Sequence, residues 1–520
     1  MMTKNKKVNM RCYNTGFVLF GEKVCFIGKY TFFTMFILFS IVFSFLVSCN
    51  KVPEDEKYRV VILTDMTHDD GNSLIRFLHY LPWFDLEALI ITNQLPDFTF
   101  NDPSPWNKAL NILTAYKEDL PGLRKHDSRF PNYEELLNKT KKGRGALPII
   151  WLTNNLSFSG QIGSRFVETK WDSINYHDWI GEGLNPNGES KDSEGSEFLQ
   201  QVFDKDDERP IYVQVWGGPI TLVQALYRYK QRNGDEKFKK ILSNLHVYGI
   251  LFQDITFEFF VDFDVVKNKS CGGFGSAIPT FKGERAELGH LLYDPGHFWQ
   301  YCCSSDSNWV RPIYSNEVKG HGAMSELFDD YGEGDTPSFL YLISAKLGLN
   351  YPLDPTQGSW GNRFTQMGES FPKGYYHTCN HDASELTRWN SEAKSSFLNR
   401  LQWSVKSFEE VNHEPVAVVN GDKSNKILSL YAKPGKLITL DASKSSDPDR
   451  DNLTFKWFRY DEADTYDGLF ELTEPVNPIQ KLIVPSNLND KNIHLVLEVR
   501  DNGTPELVIY RRVIINSGNN

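Results

Sequence analysis

Residues 59–71 read RVVILTDMTHDDG, and this stretch decides the fold. Its first five residues, Arg59–Leu63, form a short apolar run that predicts a buried strand. Leu74, Phe77 and Leu78 follow at helical spacing, so a helix should begin directly after the acidic loop. A buried strand followed at once by a helix is typical of a parallel α/β sheet. Ligands of such sheets bind at the carboxyl ends of the strands, which is where the acidic loop lies.

The alternation of strand and helix continues along most of the chain. Further strands are predicted at Leu86–Thr92, Leu147–Thr153, Ile211–Trp216 and His246–Leu251. Helices are predicted at Trp106–Lys117, Ile220–Tyr229 and Ser338–Leu347. Right-handed crossovers between these strands would give a doubly wound, mostly parallel sheet. The fold class is therefore α/β for this part of the chain.

The pattern changes towards the C-terminus. Short strands with alternating apolar residues are separated there by turn sequences such as Pro434-Gly435 and Asn502-Gly503. Residues 416–517 are therefore predicted to form a small, all-β, immunoglobulin-like sandwich. We place the α/β domain at 58–405 and a linker at 406–415, so the exported chain has two domains, as its length favours.

The N-terminal segment has the features of an export signal. An almost wholly apolar run at 35–47 follows basic residues, and the sequence at 46–49 is Leu-Val-Ser-Cys. Small residues before a cysteine resemble the signal peptide of a bacterial lipoprotein, so residues 1–48 would be removed and Cys49 would carry lipid. Residues 49–57 would then be a tether, with the protein lipid-anchored in the bacterial cell envelope, periplasmic or surface-exposed. The alternative is a membrane-spanning anchor, although the run is barely long enough.

Composition and charge exclude several classes of protein. A hydrophobic share of 40% and a charged share of 24% are ordinary for a globular protein and exclude a disordered or multi-span membrane chain. Without residues 1–48, 50 basic and 66 acidic residues remain, a net charge of −16 that argues against nucleic acid as a partner. Four cysteines lie beyond Cys49 without the CxxC spacing of a zinc site, and we interpret them as structural with their pairing open. They are Cys271, Cys302, Cys303 and Cys379.

Asp65, Asp69 and Asp70 place three carboxylates at the end of the first predicted strand. Carboxylates about 4 Å apart repel by roughly 4 kcal/mol per pair at an effective dielectric constant near 20, so a cluster facing a pocket requires a cation. Ligand sets made only of oxygen favour calcium or magnesium. The alternative is that Asp69 or Asp70 caps the following helix, which requires no metal.

These residues carry a resemblance to a known family. The loop at 63–71 resembles the aspartate-rich N-terminal motif of the nucleoside hydrolase superfamily. The glycine turn Trp216–Leu222 is similar to a second motif, and Gly332–Ser338 is similar to a third, in which an aspartate opens a helix. With Gly358–Arg363 and a sandwich that looks like a polycystic-kidney-disease-type (PKD-like) module, the exported chain resembles the nucleoside hydrolase-like proteins described as secreted cellulose-binding proteins.

The resemblance implies roles for individual residues. Asp65 would be the general base, while Asp69 and Asn93 would contact a ribosyl diol. The ligands of a calcium ion (Ca2+) would be Asp65, Asp70, Asp335 and the main-chain carbonyl of Trp216. The implied activity is hydrolysis of an N-glycosidic or related glycosidic bond through a metal-activated water, on a small ribosyl compound or carbohydrate. Substrate identity and oligomeric state stay open at this stage.

Three positions differ from the family pattern. Leu63 stands where nucleoside hydrolases usually have another aspartate, Thr67 replaces a glycine, and Gly334 stands where several of them have a leaving-group histidine. These differences favour an alternative function, in which the protein binds a cellulose-like polysaccharide without catalysis through a vestigial hydrolase pocket. A third class, a surface adhesion protein, rests only on the sandwich.

Two further features leave alternatives open. Asp447, Asp449 and Asp451 could hold a second calcium ion in the sandwich, but Asp-Pro-Asp is a common turn former, and we favour a turn. The histidines that could replace the missing leaving-group residue are His68, His377 and His381, although a lone histidine is more often an ordinary hydrogen-bonded residue.

We expect Cys49→Ala to release the protein from the membrane or to mislocalise it, because the acyl chains would lose their attachment site. Cell fractionation followed by mass spectrometry of the N-terminal peptide measures this. A membrane-bound protein with an intact N-terminus and an unmodified Cys49 would instead indicate a membrane-spanning anchor.

Overall fold

The structure, a computed structural model, describes most of the chain from residue 56 onward. The described residues are 56–67, 69–93, 104–145, 192–250, 280–281, 284–285, 287–294, 315–368, 371–378 and 384–518. Cys49 and the predicted export signal therefore lie outside the described residues, as do the predicted strand at Leu147–Thr153 and Cys271, Cys302, Cys303 and Cys379. None of the helices in the described ranges is long and apolar enough to cross a membrane.

A large sheet forms the centre of the α/β part. The strands of this sheet are β1 (Tyr58–Thr64), β2 (Phe84–Asn93), β3 (Thr140–Gly145), β4 (Ile211–Val215), β5 (Leu245–Ile250), β8 (His290–Asp294), β9 (Thr365–Gln366) and β10 (Tyr375–His377). Two short strands, β6 (Thr280–Phe281) and β7 (Glu284–Arg285), form a separate hairpin. The eight strands of the sheet lie in the order β3-β2-β1-β4-β5-β8-β10-β9. All neighbours are parallel except β9 and β10, which confirms the predicted mostly parallel sheet.

Helices cover both faces of this sheet. They are α1 (Asp70–Leu78), α2 (Ser104–His126), α3 (Tyr133–Lys139), α4 (Glu194–Phe203), α5 (Ile220–Asn244), α6 (Ser315–Val318), α7 (Ala323–Glu326), α8 (Pro337–Lys346) and α9 (Ser384–Gln402). Strand β1 shows why the fold is doubly wound. Val60 and Ile62 point into the core shared with α1, α2, α8 and α9, whereas Val61 and Leu63 point into the core shared with α4 and α5. Because six of the seven residues of β1 are buried, its sequence has no polar alternation.

The edge strand β3 was not predicted. Its sequence, TKKGRG, has no apolar run, because an edge strand next to solvent does not need one. The predicted helices at α2, α5 and α8 are confirmed, and the first two extend further than expected. Helix α5 is long because two helical segments join across a kink at Gly234, whose φ of 76° lies in the left-handed region.

The C-terminal part is a β-sandwich, as predicted. Its strands are β11 (Leu428–Ala432), β12 (Leu437–Asp441), β13 (Thr454–Arg459), β14 (Ile479–Ile483), β15 (Asn492–Arg500) and β16 (Val508–Ser517). They form a four-stranded sheet, β11-β16-β15-β13, and a two-stranded sheet, β12-β14, around a common apolar core. The carboxylate of Asp447 accepts hydrogen bonds from the main-chain N–H groups of Asp449 (2.8 Å) and Asp451 (3.1 Å), so this segment forms the favoured turn.

The sandwich is bonded to the α/β part. The N–H of Tyr510 in β16 donates to the carbonyl of Leu347 at the end of α8 (2.8 Å), and the N–H of Arg512 donates to the carbonyl of Gly348 (3.2 Å). Asn412, in the predicted linker, donates from its side chain to the Asp501 carboxylate at 3.0 Å. Contacts group Lys57–Asn520 into one compact unit, and the domain boundary at 406–415 stays a prediction.

A buried ion pair joins α1 to the segment before α8. Arg76 Nε lies 2.6 Å from Glu333 Oε1, and Arg76 Nη2 lies 2.7 Å from Glu333 Oε2. Both side chains are fully buried. Beside this pair, the Asn72 side chain donates to the carbonyl of Gly332 (2.8 Å), and Thr336 Oγ1 donates to Ser73 Oγ (3.1 Å). These bonds fix the start of α8 relative to the loop that follows β1.

We expect Arg76→Met and Glu333→Gln each to lower the free energy of unfolding by about 3–5 kcal/mol, because either change leaves a buried charge without its partner. The exposed pair Lys139–Glu135 is the control, and Lys139→Met should cost no more than about 1 kcal/mol. Denaturant unfolding followed by circular dichroism measures both. Equal losses for the buried and the exposed variants would contradict the positioning role of the buried pair.

Candidate functional site

The candidate site lies at the carboxyl ends of β1 and β4. The N–H of Trp216, directly after β4, donates to the carbonyl of Leu63 in β1 at 2.8 Å, so the two strand ends meet there. Asp65 follows β1, and Asp335 lies two residues before α8 begins. The structure therefore brings the predicted acidic loop and the predicted late aspartate to one edge of the sheet.

Four aspartates are buried at this edge. The exposed fractions are 2% for Asp65, 3% for Asp69, 1% for Asp70 and 0% for Asp335. Asp69, Asp70 and Asp335 each offer a carboxylate oxygen that lies within 4.8 Å of the others, so among the described residues these three could hold a metal ion. We call these three residues with Asp65 the aspartate cluster. Asp69, which the resemblance assigns to the sugar diol, thus lies with the predicted ligands Asp70 and Asp335.

Hydrogen bonds from loop residues hold two of the carboxylates. Thr64 Oγ1 donates a short hydrogen bond to Asp70 Oδ1, and Thr67 Oγ1 donates to Asp70 Oδ2 at 3.0 Å. The N–H of Thr67 donates to Asp65 Oδ1 at 3.1 Å. Between them, Met66 has a φ of 54°, a left-handed conformation that turns the loop back, and its N–H donates to Thr64 Oγ1 at 3.0 Å. Thr64 and Thr67 were missed as site residues by the sequence analysis.

The alternative role of Asp69 as a helix cap does not fit its contacts. Asp69 is the residue before α1, but its side chain makes no capping hydrogen bond, and its Oδ2 atom has no hydrogen-bond partner within the described ranges. Both carboxylate oxygens of Asp335 also lack a hydrogen-bond partner among the residues that the structure describes. Buried carboxylate oxygens without donors are costly, and this all-oxygen set suits calcium or magnesium. The residues present therefore fit a divalent cation.

Burial and mutual repulsion change the acidity of the aspartate cluster. Burial, followed by the charge of Asp70, raises the pKa of Asp65 well above its usual value and that of Asp69 to about 7. Burial is also the main cause of the raised pKa of Asp335, with the other three carboxylates adding to it. In the absence of a cation, the site therefore favours protonated carboxyl groups.

A glycine allows β4 to approach Asp65 closely. A Cβ atom on Gly217 would lie 2.8 Å from Asp65 Oδ2, which is closer than such atoms can approach. The glycine turn after β4 is therefore required by contact with the carboxylate. Any side chain at this position would displace Asp65 or the turn.

The side chain of Trp216 has a role that the sequence did not indicate. Its indole Nε1 donates to Ser338 Oγ at 2.7 Å, and Ser338 Oγ donates in turn to the carbonyl of Asp335 at 2.6 Å. This chain of hydrogen bonds connects the end of β4 with the start of α8. The assignment of the Trp216 carbonyl as a metal ligand stays a prediction.

Other predicted residues are placed differently. Asn93 ends β2, but its side chain lies outside the described part, so its contact with a sugar diol stays a prediction. His68 and His381 also lie outside the described residues. His377 ends β10, four strands away from β1, which is about 19 Å at the usual strand spacing. His377 is therefore too distant to act beside Asp65.

Lys108 in α2 is a site residue that no local pattern could reveal. Its ammonium group donates to the carbonyl of Thr67 at 2.6 Å. It is 41 residues from Thr67 in the sequence, and a lysine in a helix is ordinarily solvent-facing. Only the packing of α2 against α1 brings it to the loop.

Two family models match the chain. The model described as cellulose-binding Sde182, nucleoside hydrolase-like domain, matches residues 59–364. The model described as cellulose-binding protein Sde0182, C-terminal domain, matches residues 437–517. The first match contains the entire aspartate cluster, and the second contains all the strands of the sandwich except β11.

Among solved structures, a nucleoside hydrolase-related protein from Saccharophagus degradans, described as associated with carbohydrate metabolism, is 27% identical with a TM-score of 0.66. That match covers 89% of this chain and 100% of the other. An inosine-guanosine nucleoside hydrolase is 11% identical with a TM-score of 0.30, over 67% of this chain and 99% of the other. No curated protein matches significantly. Because the first family model spans more than half of its residues, the chain belongs to the cellulose-binding Sde182 family with a nucleoside hydrolase-like domain.

Proposed function

We propose that the protein is a cation-dependent hydrolase of N-glycosidic (ribosyl) or related glycosidic bonds. The observation that carries this proposal is the fully buried Asp335, which lies beside Asp69 and Asp70. In the described part of the chain, no donor bonds either of its carboxylate oxygens. Such a carboxylate is stable only when protonated or when a positive charge lies next to it. In a purely structural site we would expect a hydrogen-bond donor or an arginine beside the carboxylate. The buried Glu333 has such a partner, Arg76.

The aspartate cluster would hold the cation. Asp69, Asp70 and Asp335 are the ligands that the geometry favours, and Asp65 and the Trp216 carbonyl are the further ligands implied by the family resemblance. We favour calcium, because an all-oxygen set with several carboxylates suits a hard cation of its size. When bound, the cation would supply positive charge at the site and polarise a water molecule or sugar hydroxyl.

Asp65 is the residue best suited to take up a proton. One oxygen of its carboxylate accepts a hydrogen bond from the Thr67 N–H, which fixes its orientation. Burial and the charge of Asp70 raise its pKa, so it binds a proton more readily than an exposed aspartate does. We therefore assign the general base to Asp65 and leave Asn93 as a contact to sugar hydroxyls. The resemblance gives the same role to Asp69, but the geometry favours Asp69 as a cation ligand.

A second candidate function is non-catalytic binding of a cellulose-like polysaccharide. The description of the family as cellulose-binding favours it, and Gly334 offers no side chain to protonate a leaving group. The same aspartate cluster would then bind the cation and sugar hydroxyls without turnover. In both cases we propose that lipid on Cys49 holds the protein at the cell envelope, where it meets small ribosyl compounds or carbohydrates.

We expect Asp70→Ala and Asp335→Ala each to abolish or severely weaken calcium binding, because each removes a charged oxygen ligand. Titration calorimetry with calcium on chelator-treated protein measures the affinity. The control is Asp206→Ala, since Asp206 is an exposed aspartate outside the cluster. The calcium affinity of this variant should equal that of the wild type. Wild-type protein that binds neither calcium nor magnesium would refute the site.

We expect Asp65→Asn to retain substantial cation affinity while losing turnover by about 10²- to 10⁴-fold, because the amide keeps the shape but cannot take up a proton. The assay follows free sugar released from nucleosides and from glycosides by calcium-loaded protein. In the second candidate function, Asp65→Asn would change only the affinity for ligand. No released sugar from any substrate with the loaded wild type would argue against catalysis and leave the binding function.

A further inference from the structure

We propose that Thr67 and Lys108 act together as positioning residues, which hold the carboxylates of Asp65 and Asp70 in place and set the affinity of the aspartate cluster for its cation. This inference rests on the proposed cation site and assigns residues that neither the family motif nor the sequence pattern indicates. Thr67 is one of the positions where the chain differs from the nucleoside hydrolase pattern, and its contacts give that difference a function.

Thr67 contacts two carboxylates through two separate groups. Its N–H donates to Asp65 Oδ1 at 3.1 Å, and its hydroxyl donates to Asp70 Oδ2 at 3.0 Å. A glycine at this position could supply the first contact but not the second. The threonine therefore couples the position of the proposed base to that of a proposed ligand.

Lys108 holds Thr67 from the other side. Its Nζ atom donates to the carbonyl of Thr67 at 2.6 Å. Its side chain crosses the start of α1 at Gly71, where a Cβ atom would lie 2.6 Å from Lys108 Cε and 3.0 Å from Nζ. Gly71 is therefore the residue that leaves room for the lysine. All three groups of Thr67, its N–H, hydroxyl and carbonyl, are thus bonded.

The charge of Lys108 acts on the same carboxylates. Its ammonium group is bonded to the carbonyl of Thr67, and the N–H and hydroxyl of the same residue are bonded to Asp65 and Asp70, so the positive charge lies near these carboxylates. An ammonium group close to the aspartate cluster stabilises it when no cation is present, and it also repels an arriving cation. The ammonium group of Lys108 and the cation therefore compete for the negative charge of the aspartate cluster.

The two residues should consequently affect cation affinity in opposite directions. Thr67→Val removes the hydroxyl that orients Asp70 and should weaken calcium binding by about 10- to 100-fold, as the loss of partners of ligating groups does. Lys108→Met removes a repelling charge while the N–H and hydroxyl bonds of Thr67 remain, and it should tighten calcium binding on the order of tenfold. A purely structural role would change both affinities in the same direction.

Conservative variants separate charge from geometry. Thr67→Ser keeps the hydroxyl and should bind calcium like the wild type. Lys108→Arg keeps the charge and should also leave the affinity near that of the wild type. Lys239→Met is the control for loss of a positive charge, because Lys239 is exposed on α5, and it should change nothing.

The experiment is calorimetric titration of calcium alone into chelator-treated, full-length protein, with thermal unfolding of the apo and loaded forms as a second measurement. Lys108→Met should lower the melting temperature of the apo form and widen its gap to the calcium-loaded form, because tighter binding stabilises more. Calcium binding by the wild type with unchanged or weaker affinity in Lys108→Met would overturn this inference alone. Absence of calcium and magnesium binding by the wild type would overturn the proposed function as well.

Discussion

The structure depends on four carboxylates that are buried together at the end of β1. Carboxylates that are buried this close together cannot all remain ionised unless a positive charge lies among them. The residues around the aspartate cluster donate hydrogen bonds to it, leave room for it or place a positive charge near it. Thr64 and Thr67 donate hydroxyl bonds to Asp70, Gly217 leaves room for Asp65, and a lysine approaches from α2. Of the four carboxylates, only that of Asp335 receives no hydrogen bond at either oxygen from the described residues, and this missing donor is what favours a cation at the site.

The position of Asp335 is determined by side chains that have no proposed contact with the cation. The buried Arg76–Glu333 pair fixes the loop before α8 to α1, and the hydrogen bonds from Trp216 to Ser338 and from Ser338 to Asp335 fix it to β4. The end of β4 and the helices α1 and α8 therefore converge on one carboxylate. An ion pair of this kind contributes little net stability compared with apolar packing, but its loss is costly, which suits a role in geometry.

Much of this arrangement follows from local sequence. The strand at Arg59–Leu63, the parallel sheet and the sandwich could be predicted because buried strands and half-buried strands have distinct apolar patterns. That Asp70 and Asp335 lie close together could be predicted because they lie in short motifs that resemble a known family. Strand β3 could not be predicted, since a polar edge strand lacks the pattern. Lys108 and the side-chain role of Trp216 could not be predicted either, because both arise from contacts between segments distant in sequence.

Helix α8 is held at both ends by different parts of the chain. Its ten residues span about 15 Å, with Asp335 just before its first turn and the carbonyl of Leu347, just after its last, bonded to Tyr510 of the sandwich. A substitution that shifts β16 would therefore act on the carboxyl end of this helix, and the helix would transmit the displacement to Asp335. Loss-of-function alleles that map to the C-terminal strand need not mark a second ligand surface. Such substitutions would act at a distance, by misaligning Asp335 in a site whose own residues are unchanged.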